Sequence, residues 1–200
     1  MTTLQLNTSL FGAGGQSSML ANEFVAHRGG QVIVRDLAKD PVPHLDAARF
    51  GAFLAKPGER TPEQQAVLDY SDALIAELKA ADTLVIGLPM YNFGVPSTLR
   101  AYFDHIARAG VTFKYTEKGS IGLLAGKKAY VFVTRGGVYG EDHTQTAYLR
   151  QFLGFVGITD VEFIYAEGLA ISAASKQAGL ARAREAIERI SLKNPEFALS

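Results

Sequence analysis

The chain of 200 residues contains no cysteine. It therefore forms no disulfide bond, no thiolate metal site and no cysteine nucleophile, and its composition is compatible with a cytoplasmic location. No apolar run approaches the length of about eighteen residues that a membrane span needs, so we expect no membrane-spanning helix. The first residues, MTTLQLNTS, lack the basic region and the long apolar stretch of a signal peptide.

An excess of either charge is also missing, because 20 basic residues balance 20 acidic residues. A nucleic-acid-binding domain usually carries a basic excess, so we expect no nucleic-acid partner. His44, His105 and His143 are isolated in the sequence, without the spacing of a metal site, and we expect no metal. No G-x-S-x-G motif supports serine hydrolase chemistry.

Strand-like and helical patterns alternate along the whole chain, which has 48% hydrophobic residues to form a core. The pattern predicts strands at residues 4–8, 31–37, 83–88, 128–133 and 161–166. It predicts helices at residues 17–27, from 61 onwards, and at 96–108, 145–156 and 173–191. Thr61, Pro62 and Gln64 have the chemistry of a helix start with a capping box. Residues 111–127 are predicted to form a hairpin-like loop.

Five strand–helix units without a repeat or a break in composition predict one domain over residues 1–200. The third and fourth strands are the most apolar, whereas the second and fifth resemble edge strands. We therefore predict an α/β fold in three layers, with a doubly wound, parallel, five-stranded sheet in the flavodoxin-like order 2-1-3-4-5. Gln5 and Asn7 make the first strand more polar than a central strand should be, and the sequence does not explain this.

Residues 38–60 contain three prolines and little periodicity. We predict a long loop here, and loops of this length in compact domains are often functional. Asp36, at the end of the second predicted strand, is in the position of a ribose-binding acid. Because the glycine fingerprint of dinucleotide binding is incomplete, we interpret Asp36 as a turn residue.

The loop after the first strand, residues 9–18 (SLFGAGGQSS), combines glycines with hydroxyl groups before a predicted helix. A helix N-terminus favours an anion, and glycines let the backbone approach it closely. The motif G-x-x-x-x-G-K-[ST] is absent, and G-x-G-x-x-G fails at Ser17. The loop therefore suits a terminal phosphate, as in FMN. The alternative is an ordinary glycine-rich turn before a helix.

The loop after the third strand, residues 89–96 (PMYNFGVP), carries aromatic rings and an amide. We expect it to bind a flat, partly polar ring, with the Asn92 amide facing heteroatoms and Tyr91 and Phe93 as walls. The alternative is a turn whose aromatic side chains belong to the core.

The loop after the fourth strand, residues 134–140 (TRGGVYG), has paired glycines that allow backbone N–H groups to reach a ligand. Such donors, together with Tyr139, would stabilise negative charge near N1 and O2 of a reduced flavin. The alternatives are a turn without a ligand and, for Arg135, a solvated surface arginine.

These motifs resemble those of the bacterial FMN-dependent NADH azoreductases, also called FMN-dependent NADH:quinone oxidoreductases. The resemblance rests on the loop from Ser9 to Ser17, on residues 89–93 and on residues 134–137. It extends to residues 107–113 (ARAGVTF) and 152–161 (FLGFVGITDV), so it covers essentially the whole chain.

The resemblance implies one FMN per subunit and a homodimer whose active sites lie at the subunit interface and are completed by the partner chain. Some family members have histidine where Tyr139 stands, so a phenol would replace an imidazole near flavin O2. The implied FMN-binding residues are Ser9, Gly15, Gln16 and Ser17 at the phosphate, and Met90, Tyr91, Asn92, Phe93, Thr134, Arg135, Gly136 and Gly137 around the isoalloxazine.

Our functional hypothesis is ping-pong, two-electron hydride transfer. NADH or NADPH reduces the flavin and leaves, and a quinone or an azo compound is then reduced at the same ring. One alternative is a flavodoxin-type electron carrier without its own small-molecule substrate. Such carriers are usually strongly acidic, whereas this chain has zero formal charge. Another is a Rossmann-type NAD(P)-binding regulator or dehydrogenase, which would bind no flavin.

Overall fold

The computed structural model describes residues 1–193. The single-domain prediction also includes residues 194–200, which lie outside the described residues. The strands are β1 (Thr2–Asn7), β2 (Gln31–Asp36), β3 (Thr83–Pro89), β4 (Phe113–Thr116), β5 (Gly119–Gly122), β6 (Lys128–Thr134) and β7 (Asp160–Ala166). The helices are α1 (Gln16–Arg28), α2 (Ala47–Leu54), α3 (Pro62–Ala80), α4 (Ser97–Ile106), α5 (Thr144–Val156) and α6 (Ala173–Lys193).

The main sheet has the order β2-β1-β3-β6-β7, and all of its pairs are parallel. Counted along the sheet-forming strands, this is the order 2-1-3-4-5, so the predicted fold is confirmed. Side chains alternate between two core layers, as the strand period requires. Ile86 and Val131 face the layer of α3, α4 and α5, whereas Val85 and Phe132 face α1 and α6.

The polar residues of β1 form a buried hydrogen-bonded chain. The amide nitrogen of Gln5 donates to Asn7 Oδ1 at 2.9 Å and to Asn22 Oδ1 of α1 at 2.6 Å. A buried polar group is tolerated when it is hydrogen-bonded. The chain therefore explains how a central strand accommodates Gln5 and Asn7.

Two predictions about where helices begin can be compared with the structure. The capping box is confirmed, because Gln64 N–H donates to Thr61 Oγ1 and Thr61 N–H donates to Gln64 Oε1. The prediction that residues 38–60 lack regular structure is wrong, since α2 lies within them. Asp46 begins this helix by accepting a hydrogen bond from Arg49 N–H at 2.8 Å.

The predicted excursion at residues 111–127 contains an antiparallel hairpin of β4 and β5, as expected. The segment after it is anchored on α5, where Leu124 N–H donates to Val156 O at 2.9 Å.

Asp36 has the predicted turn role, because its carboxylate accepts from the N–H groups of Ala38 and Lys39.

Candidate active site

The loops that follow β1, β3, β6 and β7 meet at the carboxyl edge of the parallel sheet, where ligands bind in open α/β folds. They enclose a cleft of about 370 Å³. Its lining residues are Ser9, Phe11, Gly15, Gln16, Ser17, Pro89, Met90, Tyr91, Thr134, Arg135, Gly136, Leu169 and Ala170. The structure therefore brings the three predicted loops together.

Two glycines bring the start of α1 close to its neighbours. A Cβ atom on Gly87, in the middle of β3, would lie 2.9 Å from Ser17 O, a backbone atom that cannot swing aside. A Cβ atom on Gly15 would overlap the Ser9 side chain. The absence of these side chains lets the N-terminus of α1 lie directly against β3 at the cleft.

The start of α1 has unused hydrogen-bond donors. Within residues 1–193, no group accepts from the N–H groups of Gln16, Ser17 or Ser18, and no side chain caps the helix. The hydroxyl groups of Ser17 and Ser18 are buried without a partner. Because the helix dipole adds positive character at this end, the site fits a phosphate-type anion.

The second loop contains a strained turn at Tyr91–Gly94. The two end residues exchange N–H···O bonds of 3.2 and 3.0 Å. Asn92 and Phe93 between them have φ values of 48° and 64°. Asparagine tolerates left-handed backbone, but a bulky residue such as Phe93 adopts it only where the surroundings hold it. Both side chains are exposed and do not line the cleft.

Tyr91 connects the second loop to the first. Its hydroxyl group accepts from Leu10 N–H at 3.2 Å and lies 3.4 Å from Ser9 Oγ. Tyr91, which lines the cleft, therefore links the loop after β3 to the loop after β1.

In the third loop, Arg135 is only 1% exposed, so the alternative of a solvated surface arginine is wrong. Its guanidinium donates to Gln145 Oε1 at 3.1 Å, to Thr146 Oγ1 at 2.8 Å and to Gly140 O at 2.6 Å. It also forms an ion pair with Glu167 at 2.9 Å. Arg135 therefore lines the cleft, but its guanidinium is paired with protein groups.

The carboxylate of Glu167 ties the rest of this loop down. It accepts from the N–H groups of Tyr139 at 3.0 Å and Gly140 at 3.2 Å, in addition to Arg135. Burial alone would raise the pKa of Glu167, but the hydrogen bonds from Tyr139, Arg135 and Gly140 outweigh it, so the pKa lies below its usual value.

The paired glycines leave donors free at the cleft. Gly136 and Gly137 accept hydrogen bonds through their carbonyl groups, but in the described part of the chain nothing accepts from their N–H groups. The ring of Tyr139 covers Gly137, where a Cβ atom would lie 3.0 Å from it. Tyr139 also contacts Phe93, with ring centroids 6.1 Å apart. Gly137, Tyr139, Asn92 and Phe93 therefore lie beside the cleft rather than in its lining.

Sequence reasoning missed several residues of the site. Phe11 and Pro89 lie within predicted loops but are not among the predicted binding residues, and Leu169 and Ala170 also line the cleft. Leu169 and Ala170 follow β7, so the rule that gathers the other loops at one edge could have found them. Nothing in the local pattern identifies Gln145 or Glu167.

One buried titratable group lies away from the cleft. His105, on α4, packs edge-on against the rings of Phe53 and Tyr70. Its Nδ1 donates to Ala101 O, and Nε2 is buried without a partner. Burial lowers the pKa of this imidazole below its usual value, against the opposing effect of the bond to Ala101.

Residues 1–193 contain neither a metal-binding cluster nor a membrane-spanning helix. No cluster of three or more His, Asp or Glu side chains is arranged to hold a metal ion there. None of the helices in that range combines the length and the apolar character that crossing a bilayer requires.

The sheet order, together with a helix N-terminus that suits an anion and glycine-rich loops at the carboxyl edge, defines a protein of the flavodoxin-like class. In agreement, the sequence profile of a family with the flavodoxin-like fold matches residues 1–190. The FMN-dependent NADH:quinone oxidoreductase of Cellvibrio japonicus is 55% identical over 195 residues, covering 94% of this chain and 97% of that protein. FMN-dependent NADH:quinone oxidoreductase 6 of Burkholderia lata is 55% identical over 193 residues, covering 93% and 98%.

Among solved structures, an FMN-dependent NADH-azoreductase of Bacillus anthracis in complex with FMN superposes with a TM-score of 0.83. It is 30% identical, and the match covers 95% of this chain and 99% of that chain. The chain belongs to the family of FMN-dependent NADH:quinone oxidoreductases and azoreductases.

Proposed function

We propose that this protein is an FMN-dependent oxidoreductase that uses NADH or NADPH to reduce quinones and azo compounds by ping-pong hydride transfer. The observation that carries the proposal is two sets of free N–H donors, one in the lining of the cleft and the other in its lining and at its rim. One set is the start of α1 at Gln16 and Ser17, and the other is Gly136 and Gly137. The relatives named for FMN and NADH:quinone chemistry support it.

The donor chemistry fits FMN in both halves of the cleft. At the phosphate, the proposed ligands are the N–H groups of Gln16 and Ser17 with the hydroxyl groups of Ser9 and Ser17, and Gly15 leaves room for them. The unpaired, buried Ser17 hydroxyl group supports this assignment.

Around the ring, Met90, Tyr91 and Thr134 form walls of the cleft. When bound, FMN supplies the chemistry of accepting and donating a hydride. The N–H groups of Gly136 and Gly137 are neutral donors that would stabilise negative charge on the ring edge, and Tyr139 would add a phenolic donor. No protein side chain is required as a nucleophile.

Asn92 and Phe93 are proposed to reach the ring's outer face, since the left-handed turn presents both side chains to solvent at the cleft rim. Arg135 is proposed to contribute its backbone to the ring site. Its guanidinium is already engaged by four partners of the protein.

We further propose a cytoplasmic homodimer with the active sites at the subunit interface. A separate, apolar groove of about 280 Å³, which shares no lining residue with the cleft, supports the dimer contact. On its rim Phe50, Leu54 and Tyr115 are 52%, 69% and 76% exposed. Clustered exposed apolar side chains are typical of a protein–protein contact. The cytoplasmic assignment follows from the proposed reductant, NAD(P)H, which is made inside the cell. Light scattering during size-exclusion chromatography should give about twice the mass of 21.5 kDa, and a monomer would contradict the dimer.

The test of the activity is steady-state kinetics of FMN-reconstituted protein with NADH, NADPH, a quinone and an azo dye. We expect oxidation of the nicotinamide that depends on the acceptor, with parallel double-reciprocal lines. FMN binding without turnover would instead support a flavodoxin-type carrier. A purified protein that retains no flavin absorbance after incubation with FMN and removal of the unbound FMN would contradict both interpretations.

A further inference from the structure

Gln145 connects the second and third loops of the cleft. It lies in the first turn of α5 and is 1% exposed. Its side-chain oxygen accepts from Arg135 Nε at 3.1 Å, and its nitrogen donates to Pro89 O at 3.0 Å and to Gly94 O at 3.4 Å. Both ends of one amide are therefore used, one on each loop.

The turn held by Gln145 is the strained one. Gly94 closes the turn in which Asn92 and Phe93 have left-handed backbone. Thr144, the neighbour of Gln145, adds a hydroxyl contact of 3.5 Å to Phe93 O. Since left-handed backbone is unfavourable above all for the bulky Phe93, the turn needs contacts from outside to keep its shape.

The other end of the amide is fixed by a charged group. Arg135 is itself held by Glu167, which also accepts from Gly140 N–H. The order of contacts is thus from the second loop through Gln145 to Arg135, and on through Glu167 to the third loop. A buried polar network that is fully hydrogen-bonded makes its surroundings rigid.

We propose that Gln145 is a positioning residue that fixes the turn Tyr91–Gly94 relative to the loop of residues 135–140, and so sets the width of the ring-binding half of the cleft. Gln145 itself is not part of the cleft lining. The proposal rests on the proposed FMN site for its functional consequence, but the positioning is a property of the protein without a ligand.

The first experiment therefore uses the apoprotein. Gln145→Leu removes both ends of the amide, whereas Gln145→Glu keeps the acceptor for Arg135 and removes the donor to Pro89 and Gly94. Gln177→Leu, the same substitution at an exposed site on α6, is the control. Hydrogen exchange measures the protection of the individual N–H groups.

Exchange at Tyr91 and Gly94 N–H should become about tenfold faster in both Gln145 variants, because a lost hydrogen bond of about 1.4 kcal/mol corresponds to a factor of ten. Exchange at Gly140 N–H should rise in Gln145→Leu only. The control should match the wild type. Unchanged exchange at the turn in both variants overturns the proposal. If Gln145→Leu does not fold, Gln145→Glu alone decides.

The second experiment measures the dissociation constants of FMN and of riboflavin, which lacks the phosphate. Both should rise by about tenfold in Gln145→Glu, because the change is confined to the ring half. The visible spectrum and the midpoint potential of the bound flavin should also shift. Loss of FMN affinity with unchanged riboflavin affinity, spectrum and potential contradicts a positioning role. A wild-type protein that binds no flavin would refute the proposed function, while the exchange data would still decide the positioning.

Discussion

The ion pair of Arg135 and Glu167 allows a quantitative prediction. The Arg135 side chain is 0% exposed and that of Glu167 is 12% exposed, with 2.9 Å between the charged atoms. Glu167→Gln keeps the size of the side chain but removes its charge, which leaves a buried guanidinium without a counter-charge. Removing one partner of a buried pair typically costs about 3–5 kcal/mol. We expect a loss of about 3 kcal/mol, at the lower end, because one side-chain oxygen can still accept.

For a chain of 200 residues this loss corresponds to a fall of about 6–12 °C in Tm. The assay is urea unfolding at fixed protein concentration for Glu167→Gln, Arg135→Met and the double variant. The double variant should be more stable than the sum of the single effects predicts, by at least about 1 kcal/mol, because the two groups act on each other. Effects that add within about 0.5 kcal/mol would refute the reasoning.

The same pair predicts a pH dependence. The pKa of Glu167 is lower in the folded protein than its usual value, so its contribution to stability is present above the unfolded pKa of about 4.3. That contribution is lost as the pH falls through the folded pKa. Unfolding free energies measured down the acid range should therefore decline less in Glu167→Gln than in the wild type, and equal declines would contradict the prediction.

The remaining predictions concern four single substitutions. Gly87→Ala should destabilise the protein by about 1–3 kcal/mol in thermal unfolding and weaken FMN binding, because the new methyl group meets the backbone of α1. Gly154→Ala, in a helix and with open space around the new methyl group, should instead raise stability by about 0.5–1 kcal/mol. Ser17→Ala should weaken FMN binding in a fluorescence titration but leave riboflavin binding unchanged, since only FMN carries the phosphate. Burial lowers the pKa of His105 in the folded protein, so its contribution to stability is present above the unfolded pKa of about 6.5 and declines as the pH falls below that value. His105→Leu should therefore make the unfolding free energy depend less on pH in this range. An unchanged slope between pH 7 and 5 would contradict the prediction.

Local patterns were sufficient for most of the fold because each element carries its own signal. The predicted strands and helices all occur, with ends shifted by at most two residues. Once the strand order was inferred from apolar character, topology alone placed residues 9–18, 89–96 and 134–140 at one edge. The site was therefore predictable at the level of loops.

The missed helix α2 also had a local signal. Asp46 is a good N-cap, and Phe50, Phe53 and Leu54 have helical spacing. The surrounding prolines gave the segment the composition of a loop, which hid this short periodicity.

Roles that depend on distant partners were not predictable. Gln145 bonds to Pro89, which is 56 positions away in the sequence, and Arg135 bonds to Glu167, which is 32 positions away. In the sequence alone, a polar residue whose buried partner is far along the chain cannot be distinguished from a surface residue. Gln5 and Asn7 were puzzling for the same reason, since their explanation lies in Asn22 on another element.

The most direct test of the account is an equilibrium titration of the purified apoprotein with FMN and with riboflavin. One FMN should bind per chain, more tightly than riboflavin, because the start of α1 at Gln16 and Ser17 offers free N–H donors to the phosphate that riboflavin lacks. Riboflavin bound as tightly as FMN, or no flavin bound at all, would contradict it.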